Sequence, residues 1–178
     1  ASSYGYYRLS GGTLNAEEIG IGGVSGTNAV GVMDMTGGTL NDAGWFTIGR
    51  CDGVGSGNSG VFNITGGSVV LSGTVGSAPR DFAINWAQAA GAQSVLCISN
   101  ASVTGPAAAN YVLDLSAKNT ADTMGIANLL AGGTLAVAGV MSGCPNPATL
   151  LNFDGGTLKA TVANVNFITS ANVDWVYL

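Results

Sequence analysis

Tyr7 and Leu9, Met33 and Met35, Phe62 and Ile64, Leu96 and Ile98, and Leu151 and Phe153 are apolar pairs spaced two residues apart, each followed two residues on by Gly or Asn. Arg8, Asp34, Asn63, Cys97 and Asn152 stand between the members of the pairs. A period of two puts alternate side chains on opposite faces of a strand, so the pairs predict a buried face and the interposed residues an outward one. Beyond the turn, Leu14, Leu40, Val69, Val103, Leu135 and Leu158 form a second apolar column, while Asn15, Asn41, Thr104 and Lys159 follow on the polar side. One copy is irregular: alignment on its glycines puts Asn128 on the apolar face and Leu129 on the outer one. Further strands are predicted at EIGIG (18–22), WFTIG (45–49), FAINW (82–86) and YVLDL (111–115). No segment carries the period of a substantial helix.

These segments are copies of one phrase. YYRLSGGTLN, VMDMTGGTLN, VFNITGGSVV, VLCISNASVT, ANLLAGGTLA and LLNFDGGTLK align on turns that begin at 11, 37, 66, 100, 132 and 155, giving offsets of 26, 29, 34, 32 and 23. Variable loops around a constant corner explain the uneven offsets. The corner needs a positive φ, which Gly reaches without a Cβ clash and Asn tolerates better than most residues, so Asn100 is a consistent substitute. A unit this short cannot bury its own apolar face, but stacked copies bury a continuous column. The prediction is an all-β, single-domain parallel β-solenoid of about six coils over 1–178, with copies near 6–31, 32–60, 61–94, 95–125, 126–149 and 150–178. At a strand spacing of roughly 4.8 Å the stack is on the order of 29 Å tall. Propeller blades need about 40–50 residues each, and a sandwich would not explain one corner sequence repeated six times.

TGGTLN followed by an apolar strand ending in IG, with a Gly/Ser loop such as GVGSGNSG (53–60), resembles the autotransporter-associated β-strand repeats of bacterial secreted and surface proteins. The last copy, over 150–178, is the most similar; the first two are close to it and 68–130 is the weakest. The resemblance implies a right-handed parallel β-helix, export to the cell surface and a structural or adhesive passenger role, and it supplies no catalytic residues.

Composition narrows the function further. Five Lys and Arg and ten Asp and Glu make up 8% of the chain, against about 25% in an average soluble domain. The few cations are scattered, so the clustered charge that nucleic acid demands is absent. Gly, Asn, Ser and Thr interrupt every apolar run, so no membrane-spanning helix is readable. With no His, the usual base, metal ligand and triads are removed, and no cofactor is predicted. Glu17 and Glu18 are adjacent and would diverge on a strand, while Arg80 and Asp81 read as a surface pair. The glycine loops at 20–26 and 53–60 open no helix that would bind phosphate, and one Asp at position 52 cannot complete a calcium shell.

Cys51, Cys97 and Cys144 lack metal-ligand spacing. One reading pairs Cys51 with Cys144 in a loop-to-loop disulfide and leaves Cys97 free or bridging chains; the other makes them small buried residues. Aromatics gather at the ends, with Tyr4, Tyr6, Tyr7, Trp175 and Tyr177 among the thirteen in the chain. Solenoid ends expose unpaired edges, and a head-to-tail contact that does not close generates a filament. The expectation is a non-enzymatic, extracellular or cell-surface fibre subunit that polymerises with itself through those five residues. An adhesin that binds glycans through loops 22–31, 50–60 and 77–93, with Trp86 and Phe82 stacking on sugars, is the first alternative. A degenerate polysaccharide lyase is the second.

Overall fold

A computed structural model describes residues 3–23, 28–51, 57–73, 82–86, 91–117, 123–143, 148–169 and 173–178. Among these residues there are strands and no helix, and every strand-to-strand pairing is parallel. The chain is a parallel β-solenoid. Each coil lays down up to three strands, and each strand pairs with its counterparts in the coils before and after.

Face one is a seven-stranded sheet in the order Tyr4–Leu9, Val30–Met35, Ser59–Ile64, Gln93–Ile98, Met124–Leu130, Ala148–Asp154 and Trp175–Tyr177. The second sheet has nine strands and carries two faces. Thr13–Ile21 and Thr39–Arg50 run through both. Face two continues through Ser68–Leu71, Ser102–Thr104, Thr134–Val137 and Thr157–Ala160. Face three continues through Phe82–Trp86, Leu113–Asp114 and Val140–Met141, with a last bridge at Ile168.

The predicted inward columns form the core. Met35, Ile64, Ile98 and Leu129 stack in register on face one, and Leu40, Val69, Val103 and Leu135 on face two, all essentially inaccessible to solvent. Phe46 of face three joins the faces, stacking on Phe62 at 5.4 Å and meeting Phe82 edge-on at 5.2 Å. The outward ladder of face one runs Arg8, Asp34, Asn63, Cys97, Asn128, Asn152, Tyr177. Asn63 donates to Asp34 at 2.9 Å, and Asn152 donates to Asn128 at 3.4 Å.

The irregular copy is thereby corrected. Asn128 points outward between Cys97 and Asn152, and Leu129 is fully buried opposite Ile98. The corner after Leu129 holds one residue more than the others, closed by Gly133 N–H donating to Leu130 O at 2.9 Å, so alignment on the glycines shifts this strand by one place. Positive φ falls on the second glycine in the first three corners, as at Gly38 (φ 88), and on Asn100 (φ 48) in the fourth. Asn100 therefore does the conformational work of the missing glycine, and Ala101 is buried beside it.

The corner from face three back to face one follows a different rule. Gly31, Gly60, Ser94, Gly125 and Thr149 occupy one column where face one begins, and the end of face three crosses against it. A Cβ on Gly60 would lie 2.6 Å from both Gly49 N and Ile21 O. Ser94, the next residue along, turns its size to use by accepting a hydrogen bond from Gly60 N–H at 3.0 Å. Asn58 is buried here, accepting from Ala29 N–H and donating to Arg50 O, both at 2.8 Å, which satisfies backbone groups that leave the ladder. Gly60→Ala is expected to lower stability by about 2–4 kcal/mol, because the obstructing atoms are backbone. Gly5→Ala, in the same column with nothing within 4 Å, is expected to stay within about 0.5 kcal/mol. Urea denaturation of the two variants checks the pair.

Candidate functional site

The strands that carry the five predicted aromatics are the two outermost of face one, each hydrogen-bonded on one side only among the described residues. All five side chains are at least 48% exposed. They do not converge. Register places Tyr6 at the head and Trp175 at the foot of one outward column, with Val32, Val61, Val95, Ile126 and Leu150 between them. Tyr177 ends the ladder that Arg8 begins, and Tyr4 points outward opposite Val30.

Tyr7 alone of the five points inward. It heads the core column that ends at Val176, and with Leu14, Ile19, Ile21 and Met33 it lines an apolar mouth of about 540 Å³ at the first coil. Tyr6 hydroxyl donates to Asp34 Oδ2 at 2.9 Å, and that bond, ahead of the carboxylate's charge, holds the phenol above its ordinary range.

Cys97 sits half-buried on the outward ladder as the alternation predicted, and Asn128 Nδ2 donates to its sulfur at 3.4 Å. Cys51 is fully buried against Ala92. Cys144 lies outside the described residues, as do Arg80 and Asp81. Much of the predicted glycan-binding loops, at 24–27, 52–56, 77–81 and 87–90, lies there too. The two rings assigned to sugar stacking have other positions. Phe82 is wholly in the core, and Trp86 is 5% exposed with its ring edge-on to Trp45 at 4.1 Å. Arg50 lies over Trp45 at 5.5 Å and pairs with Glu18, so Glu18 is engaged with a cation rather than with Glu17. Among the described residues no cluster of three or more His, Cys, Asp or Glu would hold a metal ion.

Sequence reasoning missed two features of this region. The first is the apolar outward column from Tyr6 to Trp175; its signal was present, since these residues lie two places before the polar ladder and so share its face. The second is Asp42, which follows Asn41 in what reads as a polar bend. It occupies an inward position between Ala16 and Leu71, 1% exposed, and neither carboxylate oxygen has a hydrogen-bond partner. Burial pushes its pKa up to about 6, and the nearby Gly44 amide offsets only part of that. No protein-family model, no curated protein and no solved structure matches the chain.

The sign of the Asp42 effect follows from linkage. The folded state holds the proton more tightly than the unfolded state, whose pKa is near 3.8. The contribution to stability is therefore complete below that value and is lost as pH rises through about 6. Asp42→Asn is expected to remove this slope and to stabilise the protein at pH 7 by about 1–3 kcal/mol. Denaturant midpoints measured from pH 4 to pH 7 on both proteins test it; a wild-type midpoint that rises across this interval would contradict the assignment.

Proposed function

We propose that this protein is a structural, non-enzymatic subunit of an extracellular or cell-surface fibre, in which copies join head to tail along the solenoid axis. One observation carries the reading: among the described residues the two outermost strands of face one are each hydrogen-bonded on one side only, and both belong to one parallel sheet. Laid edge to edge, two copies set Trp175 against Tyr6, Val176 against Tyr7 and Tyr177 against Arg8 of the next molecule. Each column then continues its own kind: aromatic on the outer stripe, apolar in the core, and a cation beside an aromatic ring on the ladder, worth about 0.5–1 kcal/mol at an exposed site.

An open strand edge is a template for a further strand; these two edges carry no lysine or proline, and Arg8 is the one charged residue on them. Face one has seven strands in the described residues, against six on face two and five with a further bridge at Ile168 on face three, so the joint is carried by face one. The likeness of the repeat phrase to the autotransporter-associated repeats supports the surface location.

Negative-stain microscopy and sedimentation velocity of the 178-residue chain test the proposal. Filaments with an axial repeat of one subunit are expected, and Tyr7→Asp or Val176→Asp should weaken association at least about tenfold by burying a charge in the joint. A chain that remains monomeric at high micromolar concentration overturns the reading.

A further inference from the structure

We infer that the outer surface of face one is a second self-association surface, separate from the strand edges, that packs flat against the same surface of another copy. The three faces present different exteriors. On face two the outward column nearest the glycine corner is Thr13, Thr39, Ser68, Ser102, Thr134 and Thr157, hydroxyls throughout. On face three the outward positions Thr47, Ala83 and Asp114 are already buried. Among the described residues, face one alone has an outward column that stays apolar in every strand. Beside it, Tyr4, Val30 and Met124 are exposed at 69%, 40% and 36%, with Ser59 and Gln93 between Val30 and Met124 in the same column.

Size and charge fit a copy of the same chain. Six strands of six or seven residues and a last strand of three, about 4.8 Å apart at about 3.3 Å per residue, make a surface of roughly 550 Å², polar ladder included. Two such surfaces facing each other cover about 1,100 Å² together, near the roughly 1,000 Å² expected of a specific interface. The two charges in the three outward columns, Arg8 and Asp34, are opposite in sign and adjacent in register, so two copies meet without net repulsion.

The repeat itself specifies the partner. Side-chain columns spaced at the strand repeat interdigitate with columns of the same spacing, as between sheets stacked about 10 Å apart. A bilayer surface favours helices or patches rimmed by Lys and Arg, which this face lacks. A hydrated polysaccharide would leave the valine column without an apolar counterpart.

Val61 and Val95 lie at the centre of the face, distant in register from both edges, and a Val61→Lys/Val95→Lys double variant tests the inference. In wild type, negative-stain images are expected to show paired or bundled assemblies, with lateral association in sedimentation equilibrium. The lysine pair should weaken that lateral association at least about tenfold while leaving axial filaments single and intact. Val70→Lys, on the outward side of face two and 43% exposed, should change nothing. A Val61→Thr/Val95→Thr variant keeps the shape and should give an intermediate loss even if the lysine pair fails to fold. The inference is overturned if wild-type assemblies are only one subunit wide, if the lysine pair bundles like wild type, or if Val70→Lys disrupts bundling equally. It is also overturned if wild type floats with neutral phosphatidylcholine vesicles, without lateral association, and the lysine pair does not. Single-width filaments leave the head-to-tail reading standing; absence of filaments with lateral pairs present removes that reading and keeps this one.

Discussion

The structure depends on how closely the end of face three can approach the beginning of face one. Each coil must close by bringing its third face against the start of the next coil's first strand, and at Gly31 and Gly125 the crossing backbone occupies the space a Cβ would need. Where the column holds Ser94 or Thr149 instead, the side chain replaces a backbone contact by a hydrogen bond, to Gly60 N–H in one case and to Asp174 in the other. A coil that closes at this distance keeps the hydrogen-bond register from one coil to the next. Register in turn keeps Leu over Val over Leu in the core rather than letting the columns slip to the outer face.

Much of this was legible because a parallel stack turns sequence repetition directly into spatial columns. The period of two before each corner identified the inward residues, and the glycine pairs identified the corner between faces one and two. Cys97 took its outward position for the same reason. The fifth copy was misread because glycines, not strands, were used as the anchor, and an extra residue before Gly133 moves one without moving the other. The closing corner was harder to see: Gly60, Ser94 and Thr149 look unrelated as letters and become equivalent only when the backbone crossing them is known. Asp42 was hidden for a related reason, since the polarity of NDAG describes a bend and does not reveal that its second residue points into the core.

The end aromatics illustrate the limit of counting by position. Tyr4, Tyr6 and Tyr7 are close in sequence but divide between two sides of one strand, and only Tyr7 stands in the inward column of the core. Tyr6 and Trp175 are instead the two ends of a stripe that crosses the whole of face one. The same residues therefore bear on two surfaces, the strand edges and the flat exterior, and the proposed fibre would use the first to lengthen and the second to thicken. Low charge is compatible with this arrangement, because ten acids and five bases spread over 178 residues leave little electrostatic penalty to close packing.

Amide hydrogen exchange followed by mass spectrometry, on the dilute and the concentrated protein, tests the head-to-tail joint most directly. Backbone groups in the interior strands of face one are paired in both states and should exchange slowly throughout. The amides of Tyr4–Leu9 and Trp175–Tyr177 that face away from the sheet should exchange quickly when dilute and become protected together on assembly, since each edge supplies the other's missing hydrogen bonds. Assembled protein whose two edge strands still exchange as fast as in the dilute state would contradict the account.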